Sequence, residues 1–434
     1  MAVAASKNAC IFSRPRFNVT PPHRAAAPSQ TRSLCHSKRR GLSKYTTNAR
    51  DAAEAAARSA SAAEYLPLLE SLVKKADLIE SQSKAGLVFP WNSPLEGMSR
   101  TYKLGRLSEE RGMAWMLRAA CKRQEAALAV ADRPRAPAVT AGQDDDAAFD
   151  RPLHVVGGSV LDTPGRVGTP GGGGGSVPAT PPGSARSGAG VGTPGGTPGG
   201  HPRSPGPVLG EAAPAVATTL REAAGLYKHA AEKVLPELKG SLAGERPNEL
   251  LASMATTMRL VCLAEAQAAT ARRAEEKGTA PSLLCKLHVG AYDLFKSAED
   301  TIGGHVSDFN FIAKKLQAYV LLGICVHRAR AHRAAAEEAA AGGDIGEAIA
   351  CCDAAKKHLA KCQVAAGEVA AWQRAVAEEG EALAEVRANY VRENEVVYFE
   401  KVPEKPARKL PDGKVIVAEI EHVPSEMFQN LFVE

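Results

Sequence analysis

Apolar residues recur at three- and four-residue intervals through most of this chain, the spacing of one buried face on an α-helix. Over residues 51–85, Leu66, Leu69, Val73, Ala76 and Ile79 fall near one face, and Pro67 kinks the run or opens a second helix. Residues 86–95, GLVFPWNSPL, break the pattern and read as a loop or short strand. A helix resumes over 108–130 with Met113, Met116, Leu117, Ala120 and Ala127 as its stripe. From 213 to about 395 the pattern is helical almost without interruption. One helix runs to Pro236. Another opens near Pro247, carries Leu251, Met254, Met258, Val261 and Cys262, and stops before Gly278. The next aligns Leu283, Leu287, Ala291 and Leu294, and the one after it Phe309, Ile312, Leu316, Tyr319 and Gly323. A further helix starts at Asp344 with Glu347 three residues on, a capping-box pattern, and a last one covers about 364–393. Short links between these helices predict antiparallel packing of neighbours. No fixed-period repeat marks a regular array.

Three segments depart from this pattern. Residues 131–212 are dominated by Gly, Pro, Ser and Thr, with GTPGGGGGS and GVGTPGGTPGG as near-repeats. Such a segment has too little apolar surface to offset its ordering entropy, so a flexible insert is expected. Its glycine run lacks the Lys-Ser/Thr, the preceding strand and the following helix of a phosphate loop. Residues 1–50 hold ten Lys/Arg and no acid, which fits a disordered basic leader or a plastid or mitochondrial transit peptide. After the last helix, Val396, Val397, Tyr398 and Phe399 lead into Val402-Pro403, Pro406 and Pro411. Those prolines forbid both helix and central strand. An extended apolar arm over 394–422 is therefore expected to lie on the helices, with Tyr398 largely buried.

Composition sharpens this picture. Hydrophobic residues make up 44% of the 434 but aromatics only 5%, so a thin, Ala-rich helical packing is expected. The net charge of +6 belongs to the leader, because the remainder carries 44 bases against 48 acids. A mildly acidic folded part argues against nucleic acid as a partner. No run approaches the roughly 18 apolar residues of a membrane span, and the final LFVE carries no prenylation cysteine. Nine cysteines without framework spacing fit small buried hydrophobes. No HExxH, CxxC or GxSxG pattern occurs. Cys351, His358 and Cys362 share a helical stripe but have no matching pair elsewhere, so no metal is expected. His327 and His332 read as surface residues, and Glu337-Glu338 and Glu378-Glu379 as solvated faces. With no nucleophile–base set, the residues do not argue for an enzyme or a cofactor.

Read together, RLVCLAEAQAATARRAEEKGTAPSLLCKLHVGAYDLF (259–295), GDIGEAIACCDAAKKHL (343–359) and ENEVVYFEKVP (393–403) resemble signatures of the BRO-domain family. YLPLLESLV and FPWNSPL look like its N-terminal half, and plant members that consist of little else are the most similar. The resemblance implies an all-α, curved, banana-shaped helical solenoid, with halves at 51–130 and 213–422 and an arm at 394–422 running back along the helices. Asn394, Tyr398, Val402 and Pro403 match its late signature. It implies a non-enzymatic scaffold of endosomal sorting that binds the amphipathic C-terminal helix of an ESCRT-III subunit in an apolar groove. Carried over by position, Leu283, Leu287 and Val417 would line that groove. Thr270 stands where animal members have an aromatic. The location implied is cytoplasmic and endosome-associated. The alternative is an organelle-targeted helical protein, directed by residues 1–50, with another protein or RNA as partner.

Overall fold

The computed structural model describes residues 49–77, 79, 87–96, 101–131, 135–136, 205–238 and 246–423, with isolated positions between 35 and 42. Most of the basic leader and of the Gly/Pro-rich insert lies outside the described residues.

The long helices are α1 (Ala52–Val73) and α2 (Leu107–Ala131), which flank a hairpin of β1 (Phe89–Asn92) and β2 (Thr101–Leu104). A two-residue antiparallel ladder of β3 (Arg135–Ala136) and β4 (Gly206–Pro207) brings the two ends of the insert together. Next come α3 (Ala213–His229), α4 (Ala252–Glu276), α5 (Pro281–Gly304), α6 (Lys314–Ala341), α7 (Ile345–Ala366) and α8 (Ala370–Glu393). The principal packing is of each helix on its predecessor and its successor. The chain is thus an all-α solenoid, in which every member is held mainly by its neighbours.

Alanine explains the closeness of the stack. Ala62, Ala114, Ala223, Ala264, Ala336 and Ala355 are fully buried at helix interfaces. Alanine loses no side-chain rotamer freedom in a helix and lets two backbones approach. Pro67 sits inside α1 without ending it. The helix expected from Asp308 begins only at Lys314, because Val306–Asp308 forms a single tight turn. Gly278 ends α4 at φ +68°, and the amides of Gly278 and Thr279 return to the carbonyls of Glu275 and Ala274. A side chain there would strain the turn that sets α5 against α4.

Thin packing leaves polar groups inside, and many of them are paired. Glu110 is fully buried and accepts from Arg39 Nε (2.6 Å), Tyr65 Oη (2.9 Å) and Trp91 Nε1 (2.5 Å). Arg123 of α2 and Tyr319 of α6 both donate to Glu265 of α4. Three readings of the sequence need correction. His327 is buried, with its Nδ1 3.2 Å from Nδ1 of His288. Glu337 is buried beside Arg333, and Glu379 is buried in an ion pair with Arg330. An Ala-rich helix shows no apolar contrast between its faces, so charge alone did not mark which side faced solvent.

Two carboxylates fasten the hairpin to the turn before α4. Glu249 accepts from Ser93 Oγ (2.6 Å) and the Leu95 amide (3.2 Å), while Glu96 accepts from the Asn248 amide (3.0 Å) and Tyr102 Oη (2.6 Å). Burial pushes the Glu249 carboxyl from 4.5 up to about 7. A raised carboxyl favours the folded state fully below its unfolded value, and that contribution is lost as pH rises through the folded one. Between these values the loss amounts to about 3 kcal/mol at roughly 1.4 kcal/mol per unit. We expect Glu249→Gln to remove this dependence. Urea unfolding at pH 5 and pH 8 should show the variant gaining stability over the parent only at the higher pH.

Candidate functional site

The site is built where the chain leaves α8. Residues Asn394–Tyr398 form a wide π-type turn, closed by the Phe399 amide on the Asn394 carbonyl at 2.7 Å. Phe399 is left-handed (φ 54°), and the backbone then extends to residue 423 with no further helix or strand. The Asn394 carboxamide clamps the exit, donating to the Glu400 carbonyl (2.9 Å) and accepting from its amide (2.8 Å).

From Glu400 the arm crosses the helices in reverse chain order. Glu400 caps the free Gly346 amide at the start of α7 (2.6 Å). Glu347 accepts from the amides of Ala407 and Arg408, and Asp344 pairs with Arg408 at 2.7 Å. The capping box expected at Asp344 and Glu347 therefore does not form. The arm takes both side chains, and its own Glu400 does the capping. The Lys414 amide bonds the Lys286 carbonyl of α5 at 2.9 Å. Gln267 of α4, fully buried, donates to the carbonyls of Lys414 (2.8 Å) and Leu287 (3.2 Å) and accepts from the Ile416 amide (3.1 Å). On α3, Arg221 Nε donates to the Ala418 carbonyl (2.6 Å), and the Arg221 carbonyl accepts from Ile420 (3.0 Å). Lys228 pairs with Glu419 and Glu421, and His422 packs edge-on against Trp115 of α2.

Three glycines admit the arm backbone. A Cβ on Gly346 would stand 2.9 Å from the Lys401 carbonyl oxygen, and one on Gly290 2.7 Å from that of Lys414. One on Gly225 would overlap the Ile420 carbonyl. Each sits on a different helix, α7, α5 and α3, so together they mark the track that the arm follows.

The residues singled out by sequence fall into separate settings. Leu287 is 3% exposed and lies beneath the arm, so it supports the seat from below and faces no solvent. Leu283, one turn earlier, is 36% exposed, and Val415 and Ile416 on the arm are exposed as well. Val417 is half-buried between two core clusters. Thr270 is half-buried about one turn beyond Gln267, its hydroxyl returned to the Ala266 carbonyl. Leu283 is thus exposed on α5, and Val415 and Ile416 are exposed on the arm, the latter two passed over by sequence reasoning in favour of Val417. The apolar pattern of 415–417 alone did not say which of its side chains the helices would cover.

Tyr398 is a further correction. It is 44% exposed, and Val396, Val397 and Phe399 are more exposed still, while Val402 is exposed and Pro403 half-buried. The π-type turn carries these residues around the outside of the bend, and docking begins only at Glu400. Cys351 and Cys362 are core residues, and His358 stacks on His332. Among the described residues no three ligating side chains converge.

A family model of the BRO1-like domain matches residues 211–434. Human BRO1 domain-containing protein BROX is 29% identical over 196 residues, 43% of this chain and 46% of BROX. BROX of Pongo abelii is 28% identical over the same length. The chain thus spans about half the length of the curated relatives it matches. Among solved structures, the ALIX BRO1 CHMP4C complex aligns over 94% of this chain and 91% of that one, with TM-score 0.57 and 16% identity. ALIX in complex with the SIVmac239 PYKEVTEDL late domain gives 0.58 and 16%, over 91% of this chain and 44% of that one. A structure of the Bro1 domain describing the basis of endosomal targeting gives 0.51 and 13%, over 89% and 83%. At these identities the structural likeness is one of fold.

Two outcomes are expected. In a free helix Gly225→Ala would gain about 1 kcal/mol of propensity. Here overlap with the arm reverses the sign, giving a loss of about 1–3 kcal/mol and faster tryptic cleavage between Lys401 and Lys414. A stability gain would mean that the arm does not seat on α3. Tyr398→Ala should change unfolding free energy by less than about 1 kcal/mol, as guanidinium titration will measure.

Proposed function

The chain belongs to the BRO1-like domain family, and from that membership we propose that it is a non-enzymatic scaffold that receives an amphipathic helix of an ESCRT-III subunit. The observation that carries this reading is the set of exposed apolar residues on α5 and on the arm where the arm is bonded to α4 and α5. Leu283, Val415 and Ile416 are exposed there on a rigid support, because Gln267 and the Lys286 carbonyl fix the backbone of 414–416. A helix presenting its apolar stripe is the natural complement of such a surface. The ALIX BRO1 domain, which shares this fold, is known in a complex with CHMP4C. Thr270 on α4 supplies less apolar area than an aromatic would, and this favours a shallow, moderate-affinity contact. The reading carries an endosomal site of action, the role described for a Bro1 domain of the same fold.

Leu283 and Ile416 are the anchors, with Val415 next to Ile416 on the arm, while Leu287 and Val417 hold the seat from below. Each anchor, once desolvated by the partner, supplies about 1.5–3 kcal/mol. A Leu283→Asp, Ile416→Asp double variant should then bind an ESCRT-III C-terminal helix at least about a hundredfold more weakly, with circular dichroism and melting near the parent. Leu287→Asp should instead lose the fold. Unchanged affinity in the folded double variant would overturn the proposal.

A further inference from the structure

A cavity of about 480 Å³ lies between α5, α6 and the arm. Its apolar wall is Val289, Tyr292, Pro406, Leu410 and Pro411. Arg328, His332, Arg408 and Lys409 bring positive charge or nitrogen to it, and Asp293 and Asp412 also line it, Asp293 within electrostatic reach of Arg328. We propose that this cavity binds a small organic anion, a carboxylate or phosphate monoester carried on an aromatic or branched apolar body.

Several polar groups around the cavity have no hydrogen-bond partner among the described residues. Arg328 is half-buried, lies over the Tyr292 ring at 4.7 Å, and makes no hydrogen bond or ion pair among the described residues. A desolvated guanidinium without an acceptor is costly, and an oxyanion is its usual complement. Nδ1 of His332 is buried and has no hydrogen-bond partner among the described residues. Lys409 at the mouth is exposed and forms no ion pair, whereas Arg408 is engaged by Asp344. Asp293 sits against Gly413, and burial raises its carboxyl while Arg328 lowers it. The volume is that of a small-molecule site.

The histidines report the same field. His332 stacks on His358 of α7 with ring centroids 5.5 Å apart. Burial first, and then His358 and Arg328, hold His332 down to about 4. Burial, Arg328 and Lys361 do the same to His358. An anion beside Arg328 would cancel part of this repulsion and raise both imidazoles.

The test uses the full chain with phenyl phosphate and benzoate as probes, and inorganic phosphate and benzyl alcohol as controls. Calorimetry should show both probes binding more tightly than either control. Proton NMR should show His332 and His358 titrating at higher pH in their presence. Arg328→Gln should raise the two imidazoles without ligand, abolish the ligand-induced shift and weaken binding at least about tenfold. Lys409→Glu, on the exposed arm, should weaken binding in the same direction and serves if the first variant fails to fold. No binding at millimolar probe, equal binding of inorganic phosphate, or unchanged affinity in a folded variant would each overturn the assignment.

Discussion

A helix stacked between two others has contacts on two sides, and nothing in that arrangement joins one end of the stack to the other. Here that connection is made by one stretch of extended backbone. The arm touches α7, α5, α4 and α3 in turn and reaches the Trp115 ring on α2, so it also joins helices that are not neighbours in the stack. Its grip is polar in the main: main-chain groups of residues 400–420 are met by Glu347, Lys286, Gln267 and Arg221. An extended chain needs such partners because it has no ladder of its own. The surface proposed for a partner and the arm-walled cavity both depend on this backbone being held in place.

The polar interior follows from the same composition. Alanine at the interfaces gives close packing but little apolar area per residue. Carboxylates and guanidiniums then fill positions that a leucine-rich stack would give to side-chain hydrocarbon. Glu275 shows the balance. Burial would push its carboxyl up, but Arg333, Arg330, His288 and Arg272 together hold it at about 2. Such groups are indispensable once present, since removing one leaves its partner charged and dry.

Much of the helix plan could be read from the chain, because the periodicity of apolar residues and the stop at Gly278 are local signals. The prolines and apolar run already called for an arm, the family resemblance agreed, and its signature residues now have physical roles. Gln267 of LAEAQ reads three main-chain groups, and Asn394 turns the chain out of α8. What the residues could not show was long-range. Glu347 looked like a helix cap, and its true partners are sixty residues away. His327 and Glu337 looked like surface residues on a helix with no apolar contrast. Leu283 and Leu287 share a helical stripe, and only the position of the arm separates the exposed one from the covered one. Tyr398 was read as buried because aromatic residues usually are, and the outward bend of the π-type turn decides otherwise.

The order of the arm's contacts also has a consequence for how the protein is made. The helices α2 to α8 precede the arm in the chain and leave the ribosome before it, yet residues 420–422 of the arm must find α3 and Trp115 on α2. Until then the stack emerges with three bare glycine tracks and the buried amide of Gln267 open to water. Docking therefore requires all of α2 to α8 to be already in place. An incomplete or misregistered stack cannot accept the arm along its full length, and its unclosed track would remain open to proteases and chaperones. A segment made after the helices it crosses thus serves as a completeness check on them.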